Sequence, residues 1–377
     1  MAIHFTPSTS SISDLTLHLK LAHQAGPEQT EIRTTFFPAE WHPQSGVQLT
    51  WPHAATDWAP LLAEVDKCFV SIALEILVRN ELLLIVTPEP DRIESLLRER
   101  IPSRLLPQVR YFECPTNDTW ARDHAFLTLL TEAGPRLLDF RFNGWGNKFP
   151  SDLDNAINQR LINHQSPIIQ GSYEPHLDFV FEGGSIESDG KGTLLTTSEC
   201  LLSSNRNPDL TRVQIEERLL RYFHADRVLW LDHGYLAGDD TDSHIDTLAR
   251  LAPDNRILFV ECDWLDDIHF EPLRRMKEQL AAMTDADGLP YALIPLPLPD
   301  PIFDGDGNRL PATYANYLIV NDAVIVPTYR QPATDDLALG IISRAFPDHT
   351  VKAVDSTPLI IQHGSLHCST MQIITRT

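Results

Sequence analysis

The sequence predicts an α/β fold in a single domain, assembled from repeated strand-plus-helix modules. Three observations carry that prediction. Amphipathic helices are expected near residues 65, 152, 209, 271 and 335, about 55–90 residues apart and each flanked by short apolar strands. Glycine and proline fall between these segments, and no Pro/Gly/Ser-rich linker cuts the chain. The 377 residues, 42% hydrophobic and 22% charged, suffice for a sizeable core.

Taken in order, Val65–Val78 has helical spacing, Leu82–Val86 reads as a buried strand, and Asp91 caps a helix to about Arg100. Val109–Glu113, Ala125–Leu130 and Leu137–Phe142 follow as strands. Asp152–Ile162 reads as helix, then Ile168–Ile169, Asp178–Phe181 and Leu194–Thr197 as strands. Asp209–Tyr222 is an amphipathic helix that leads into the strand Val228–Leu231. His244–Leu251 and Ile257–Cys262, joined by the turn Pro253-Asp254-Asn255, form a hairpin. Glu271–Met283 is helix and Tyr291–Leu296 strand. Tyr314–Val320 and Val324–Pro327 make a second hairpin across Asn321-Asp322. Asp335–Phe346 is helix, and Val351–Val354, Leu359–Gln362 and Met371–Thr375 close the chain as strands. Pro167–Ser172 faintly echoes Leu359–Ser365, as a repeated module would. Residues 1–35 read as a weakly ordered or peripheral N-terminal extension without the features of a signal peptide, and 36–377 as the folded domain.

Charge narrows the partners. The formal net charge of −22 argues against nucleic acid and anionic membrane and favours a cationic substrate, though acidity also serves solubility. The five cysteines (Cys68, Cys114, Cys200, Cys262, Cys368) are odd in number and form no C-x-x-C pair. That excludes a zinc ribbon or a dense disulfide framework and points to a reducing, cytoplasmic setting. No apolar run approaches the ~18–20 residues of a membrane span.

Chemistry concentrates in Gly238–Asp246 (G-D-D-T-D-S-H-I-D), with four carboxylates and a histidine. If the segment is extended, Asp240, Asp242, His244 and Asp246 share one face. A solvated acidic turn is the plain alternative. What weighs against it is Gly364–Cys368 near the far end, because a cysteine, a histidine and carboxylates are the parts of thiol-based catalysis. Three further segments gather polar and aromatic residues at expected strand ends: Asn117–Asp123, Asn143–Lys148 and Phe181–Ser185. Singly, Asp123 reads as an ion-pair partner of Arg122, Glu182 as a turn residue, Trp145 as core and Cys368 as a buried apolar residue. A calcium or zinc module built on D-x-D-x-H-x-D is a rival, although Leu251 stands where an EF-hand has glutamate. A Cys–His–Asp hydrolase of peptides or amides is another, and it leaves Asp123 and Glu182 without a task.

Six ordered segments nevertheless resemble one family: W-A-R-D (120–123), F-N-G-W-G-N-K-F (142–149), E-G-G-S-I (182–186), T-T-S-E-C-L-L-S-S-N-R-N-P (196–208), G-D-D-T-D-S-H-I-D and G-S-L-H-C (364–368). They are similar to the motifs of the agmatine deiminases and bacterial peptidylarginine-deiminase-like proteins, within the guanidino-group modifying, or pentein, superfamily. The resemblance implies a five-bladed α/β propeller with pseudo-fivefold symmetry. It implies Cys368 as nucleophile, His244 as general acid/base, Asp123 and Asp246 as grips on the guanidinium, and Glu182 as the residue that orients His244. Trp120 would line the channel, with Asp240 and Trp145 also expected to meet substrate. No metal or organic cofactor is implied.

The implied substrate is a small cationic guanidine, agmatine first, converted to N-carbamoylputrescine and ammonia, as in putrescine and polyamine biosynthesis. Free or peptidyl arginine, giving citrulline, is the alternative, with Arg122 and Arg141 as candidates to meet a carboxylate. Three departures from the family pattern, His124-Ala125-Phe126, Thr247 and Gly364-Ser365, bear on the pocket that sees the substrate's tail. A pentein fold kept only for binding sits poorly with an intact Cys368, His244 and both aspartates. Homo-oligomerisation stays open.

Overall fold

Short apolar runs and amphipathic helices alternate along the chain, and one arrangement of them recurs in five sheets. The computed structural model describes residues 33–375 except 80 and 167, so the expected extension falls almost wholly outside the described residues. From Thr35 onward the chain forms one unit. In each arrangement two antiparallel strands are followed by a helix, which returns the chain to a third strand parallel to the second. Leu127–Thr131, Gly134–Arg141 and Ser172–Val180 make one set, with Thr35–Phe36 added at its edge. Ile186–Ser188, Thr193–Thr197 and Arg227–Leu231 make the next. Ala249–Ala252, Arg256–Glu261 and Ala292–Pro297 follow, then Leu318–Val320, Ala323–Thr328 and Thr350–Asp355. The last strand, Thr370–Ile373, pairs antiparallel with Gly46–Thr50, which runs parallel to Leu82–Thr87. A fifth set is thereby completed from both ends of the described chain, and Val109–Glu113 extends it.

The helices pack because their apolar residues share one face. Over Leu62–Leu77, Val65, Phe69, Ile72, Ala73 and Ile76 are buried, a spacing of three and four, against Val47, Leu49, Leu83 and Ile85. Each of the valine, isoleucine and phenylalanine side chains contributes roughly 1.5–3 kcal/mol on burial. The helix Arg212–Phe223 begins with a capping box between Thr211 and Gln214 and ends at His224, whose φ of 48° is left-handed.

Several expectations need correction. Gly46–Thr50 is a fully buried strand that its mixed composition concealed. The helix over 152–162 breaks at Ala156 into Asp152–Asn155 and Ile157–Asn163. Ile168–Ile169 form no strand, and the strand expected at 178–181 starts earlier, at Ser172. Thr357–Ile360 is a helical turn opened by Pro358, not a strand, so over the described residues 168–172 the echo is no structural repeat. Tyr314–Tyr317 precede the strand that begins at Leu318.

Ile245–Leu248 is likewise a helical turn, and of the expected 244–251 strand only 249–251 is extended, within the strand Ala249–Ala252. The extended face of Asp240, Asp242, His244 and Asp246 therefore does not exist: Asp242 and Ser243 are left-handed, with φ of 63° and 62°. Asp239 fixes this turn by accepting from the Thr241 and Ser243 N–H groups at 3.2 and 2.7 Å.

Candidate active site

The segments just ahead of the first hairpin strand in each set converge. Asp123 lies in the turn Ala121–His124, Glu182 and Gly184 precede Ile186, and His244 and Asp246 precede Ala249. Asn316 stands two residues before Leu318, and Cys368 two before Thr370. His244 is the N-cap of its turn, with φ −52° and ψ 139°, so helical periodicity does not bind it and it can share a site with Asp246. A Cβ on Gly184 would come 2.6 Å from His244 Nδ1, 2.9 Å from Asp123 Oδ1 and 3.1 Å from Asp246 Oδ2. Only glycine lets the three groups meet there.

The five residues expected to carry the chemistry are thus together, none more than 5% exposed. Cys368 Sγ lies 3.4 Å from Asn316 Oδ1 and 3.9 Å from Asp246 Oδ2. Asn316 Oδ1 also accepts from the His367 and Cys368 N–H groups at 2.9 and 3.2 Å, fixing the turn that presents the thiol. Asp123 accepts from Gly184 N at 3.0 Å and from Trp145 Nε1 at 2.9 Å. Trp145 is held left-handed (φ 55°) between two left-handed glycines, a conformation costing about 1–3 kcal/mol that aims the indole at Asp123. His244 Nδ1 is 3.7 Å from Asp123 Oδ1, and Nε2 is 3.9 Å from Glu182 Oε2. Both ring nitrogens and Asp246 Oδ1 are buried without a hydrogen-bond partner. Unspent polar capacity of this kind marks a place for a ligand.

Above these groups opens a pocket of about 150 Å³. Trp120, Trp145, Phe149 and Gly364 form apolar walls, Asp57, Asp118 and Asp240 stand toward the mouth, and Asp123 and Cys368 lie within it. Trp120 packs against Gly364 and donates Nε1 to Asp118 at 3.0 Å. Asp240 lines this pocket. Asp242 does not, since it pairs with Lys148 at 2.7 Å and Arg206 at 2.6 Å. Neither Arg122 nor Arg141 is a lining residue: Arg122 is buried toward Gln372 and Arg141 is exposed elsewhere. Of two departures from the family pattern, His124, Phe126 and Ser365 lie behind the walls, whereas Gly364 is itself part of one. His124 Nε2 is 3.3 Å from Thr50 Oγ1, Phe126 is in the core, and Ser365 meets the Tyr329 hydroxyl at 2.9 Å.

Burial opposes charge throughout the site, and neighbours decide each outcome. For His244 burial is outweighed by Asp123, Cys200 and Glu182, which raise its pKa well above the usual histidine range. Burial also pushes at Glu182 and Asp246, but Arg206 and His244 for the first, and His367 for the second, hold both low. Asp123 is raised by burial despite His244. Burial, then Asp246 and Asp123, push the Cys368 thiol well above its ordinary value.

Glu182, Cys200 and His244 form, among the described residues, the one group of ligand-type atoms close enough to consider for a metal. A cation is already in place there. Arg206 Nε reaches both Glu182 oxygens at 3.0 and 2.8 Å, and a cationic His244 has no lone pair to offer. The cluster therefore does not fit a metal site. Sequence reasoning missed both Arg206 and Asn316. Arg206 sits in the N-R-N-P run of a noted motif, and Asn316 is visible only once its place ahead of a hairpin strand is compared with that of Cys368.

Comparison with known proteins identifies the family. The Porphyromonas-type peptidyl-arginine deiminase family matches residues 36–373. A Vibrio parahaemolyticus protein named "Putative agmatine deiminase" is 34% identical over 355 residues, 90% of this chain and 96% of that one. A Porphyromonas gingivalis structure named "Putative Arginine Deiminase" is 47% identical with a TM-score of 0.83, covering 90% of this chain and 98% of its own. A variant agmatine deiminase of C. jejuni, solved with substrate bound, is 36% identical with a TM-score of 0.82, covering 90% and 96%. The chain belongs to the Porphyromonas-type peptidyl-arginine deiminase family, a group of hydrolases acting on guanidino C–N bonds.

Proposed function

We propose that this chain is an agmatine deiminase, with Cys368 as nucleophile, His244 as general acid/base and Asp123 and Asp246 as the guanidinium grips. One observation carries the reading: the Asp123 carboxylate and the Cys368 thiol line one aromatic-walled slot, with the buried Asp246 carboxylate 3.9 Å from the thiol and the unpartnered His244 imidazole 3.7 Å from Asp123. A guanidinium is a poor electrophile, and two carboxylates can fix its plane by charge-assisted hydrogen bonds while the thiol lies over its carbon. Its positive charge offsets the two aspartates that hold the Cys368 thiol neutral, so on substrate binding the thiol releases its proton to solvent and becomes the thiolate. Sγ then bonds to the guanidinium carbon. The tetrahedral adduct breaks one C–N bond, and the departing nitrogen takes its proton from imidazolium His244 and leaves as ammonia. Neutral His244 next takes a proton from water, whose oxygen attacks the thiouronium carbon. Collapse expels the Cys368 thiolate, the remaining hydroxyl proton is lost to solvent or to the released ammonia, and the ureido product is freed. Glu182 keeps His244 cationic between turnovers.

Agmatine is favoured over arginine by the walls. Its second cation meets Asp57, Asp118 and Asp240, whereas the carboxylate of arginine finds no arginine or lysine in the lining among the described residues. Arginine is the second reading, supported by the name of the 47%-identical P. gingivalis structure. The five sheets of like topology support, in turn, a five-bladed propeller with pseudo-fivefold symmetry, the site lying where the blades' leading loops meet. Five unpaired cysteines fit a cytoplasmic setting, and no helix among the described residues is long and apolar enough to cross a membrane. Ureido product and ammonia are measured for agmatine, arginine and a blocked arginine amide. Agmatine should show the highest kcat/KM, and an amide turned over as well as agmatine overturns the substrate assignment.

A further inference from the structure

We infer that Arg206 is a positioning residue that holds Glu182 as a carboxylate and, through it, holds His244 in place as the proton donor. This rests on the deiminase reading of the same site. The Arg206 side chain is wholly buried and spends its fork on two segments at once. Nε donates to both Glu182 oxygens, Nη1 donates to Asp242 Oδ2 at 2.6 Å, and Nη2 donates to the Thr241 carbonyl at 2.8 Å. The last two partners belong to the turn whose left-handed residues, Asp242 and Ser243, deliver the backbone to His244. Thr241 Oγ1 accepts from His244 N at 3.0 Å, which joins the clamp directly to the histidine. One guanidinium therefore fixes the carboxylate that faces Nε2 and the turn that carries the ring.

The charge argument runs alongside the geometry. Burial alone favours a neutral Glu182, and Arg206 is the first-ranked influence that reverses it. The groups facing the His244 ring are Asp123 from one turn, Glu182 from a second, Cys200 from the helical turn Ser198–Leu201, and Asp246 from its own. Of these carboxylates, Glu182 alone is paired with an arginine side chain. Lysine at 206 keeps the charge but lacks the fork, so charge and placement can be separated.

The test is the pH dependence of kcat for agmatine in wild type, Arg206→Gln, Arg206→Lys and Glu182→Gln. Where Arg206 is removed, Glu182 takes up a proton and His244 loses a neighbour that favours its cationic form. The alkaline limb, which reports loss of the His244 proton, should then move to lower pH by about one unit, a tenfold effect above it. Glu182→Gln should move the limb in the same direction, and carries the prediction if Arg206→Gln does not fold. Arg206→Lys should restore the limb while leaving kcat several-fold low at every pH. A folded Arg206→Gln with lowered kcat but an unmoved limb assigns Arg206 a purely structural role and overturns the inference. If Arg206→Gln does not fold, an unmoved limb in Glu182→Gln overturns it. A wild-type protein that turns over no guanidine sinks the functional reading instead, so the two failures are distinct.

Discussion

Two buried ionic clusters lie back to back in this molecule, built from neighbouring residues of the same turns, and they differ in how fully their polar groups are used. Arg122 adjoins Asp123, and His367 adjoins Cys368. The inner cluster centres on Arg250, whose Nε meets Glu187 at 2.6 Å, whose Nη1 meets the Ala315 and Tyr317 carbonyls, and whose Nη2 meets Glu40. His367 is also drawn in, its Nε2 lying 2.9 Å from Glu40. Every Arg250 donor has a partner, and of the described charged groups on this inner side only Arg122 Nη2 lacks one. In the outer cluster both His244 nitrogens and one Asp246 oxygen have none. Saturated buried charge fixes the convergence of segments far apart in sequence, and unsaturated buried charge is capacity reserved for a ligand. Asp246 belongs to both, since its Oδ2 takes His367 Nδ1 at 2.7 Å while Oδ1 stays unpartnered.

The largest effect expected from breaking this division falls on Cys368. Cys368→Ala should lower kcat/KM for agmatine by about four powers of ten or more, with a melting temperature close to wild type. A folded variant retaining a tenth of the activity would remove Cys368 from the chemistry. Arg250→Met tests the other side. Stripping the inner carboxylates of their partner should cost about 3–5 kcal/mol of stability in denaturant unfolding. The folded fraction should keep kcat within about threefold, because Arg250 touches no pocket group; a folded protein with abolished kcat would show that the clusters are not separable.

The residue shared by the two clusters sharpens the contrast. Asp123→Asn and Asp246→Asn should each lower kcat/KM by about a hundred- to a thousandfold, as for other lost charge-stabilising groups. Only Asp246→Asn should also lower stability clearly. Burial raises the Asp246 carboxyl, but the His367 hydrogen bond outweighs this and holds it below the ordinary aspartate value. Its contribution is therefore present at neutral pH and lost as pH falls through the folded value. Melting curves of the two variants at neutral and acid pH measure this, and equal losses would contradict the shared role.

Much of the outer cluster was legible in the sequence, and almost none of the inner one. Cys368, His244, Asp123, Asp246 and Glu182 lie in motifs dense in charge, glycine and tryptophan, which stand out against ordinary turns. Glu187 and Arg250 lie inside short strands, where an isolated charge reads as a solvent-facing position, and only the fold shows that opposite charges meet there. The longer helices were legible because their apolar spacing is regular. The helical turns at 121–124, 245–248 and 357–360 are single turns held by tertiary contacts, and no period can reveal so short a segment. Strand periodicity in fact gave the wrong geometry for His244 and Asp246 but the right association, because an N-cap residue escapes the helical repeat.

The smallest expected effect concerns the pocket mouth, where a third carboxylate is neither saturated like the inner cluster nor bare like the outer. Asp118 takes Trp58 Nε1 at 2.8 Å, Trp120 Nε1 at 3.0 Å and the Thr119 N–H at 2.8 Å, and still lines the pocket. Burial raises its carboxyl to about 6, against the pull of these donors. Above that value the carboxylate can attract the distal amine of agmatine, and below it the attraction is lost. A partly exposed pair of this kind contributes on the order of 1 kcal/mol, or about fivefold in kcat/KM. Dividing kcat/KM for agmatine by that for n-butylguanidine cancels the titrations common to both, since the second compound lacks the amine. The ratio should be flat above about pH 7 and fall several-fold by about pH 5, the range in which a carboxyl near 6 takes up its proton. A ratio independent of pH would remove Asp118 from tail recognition and leave Asp57 and Asp240, the other carboxylates of the mouth, to meet the amine.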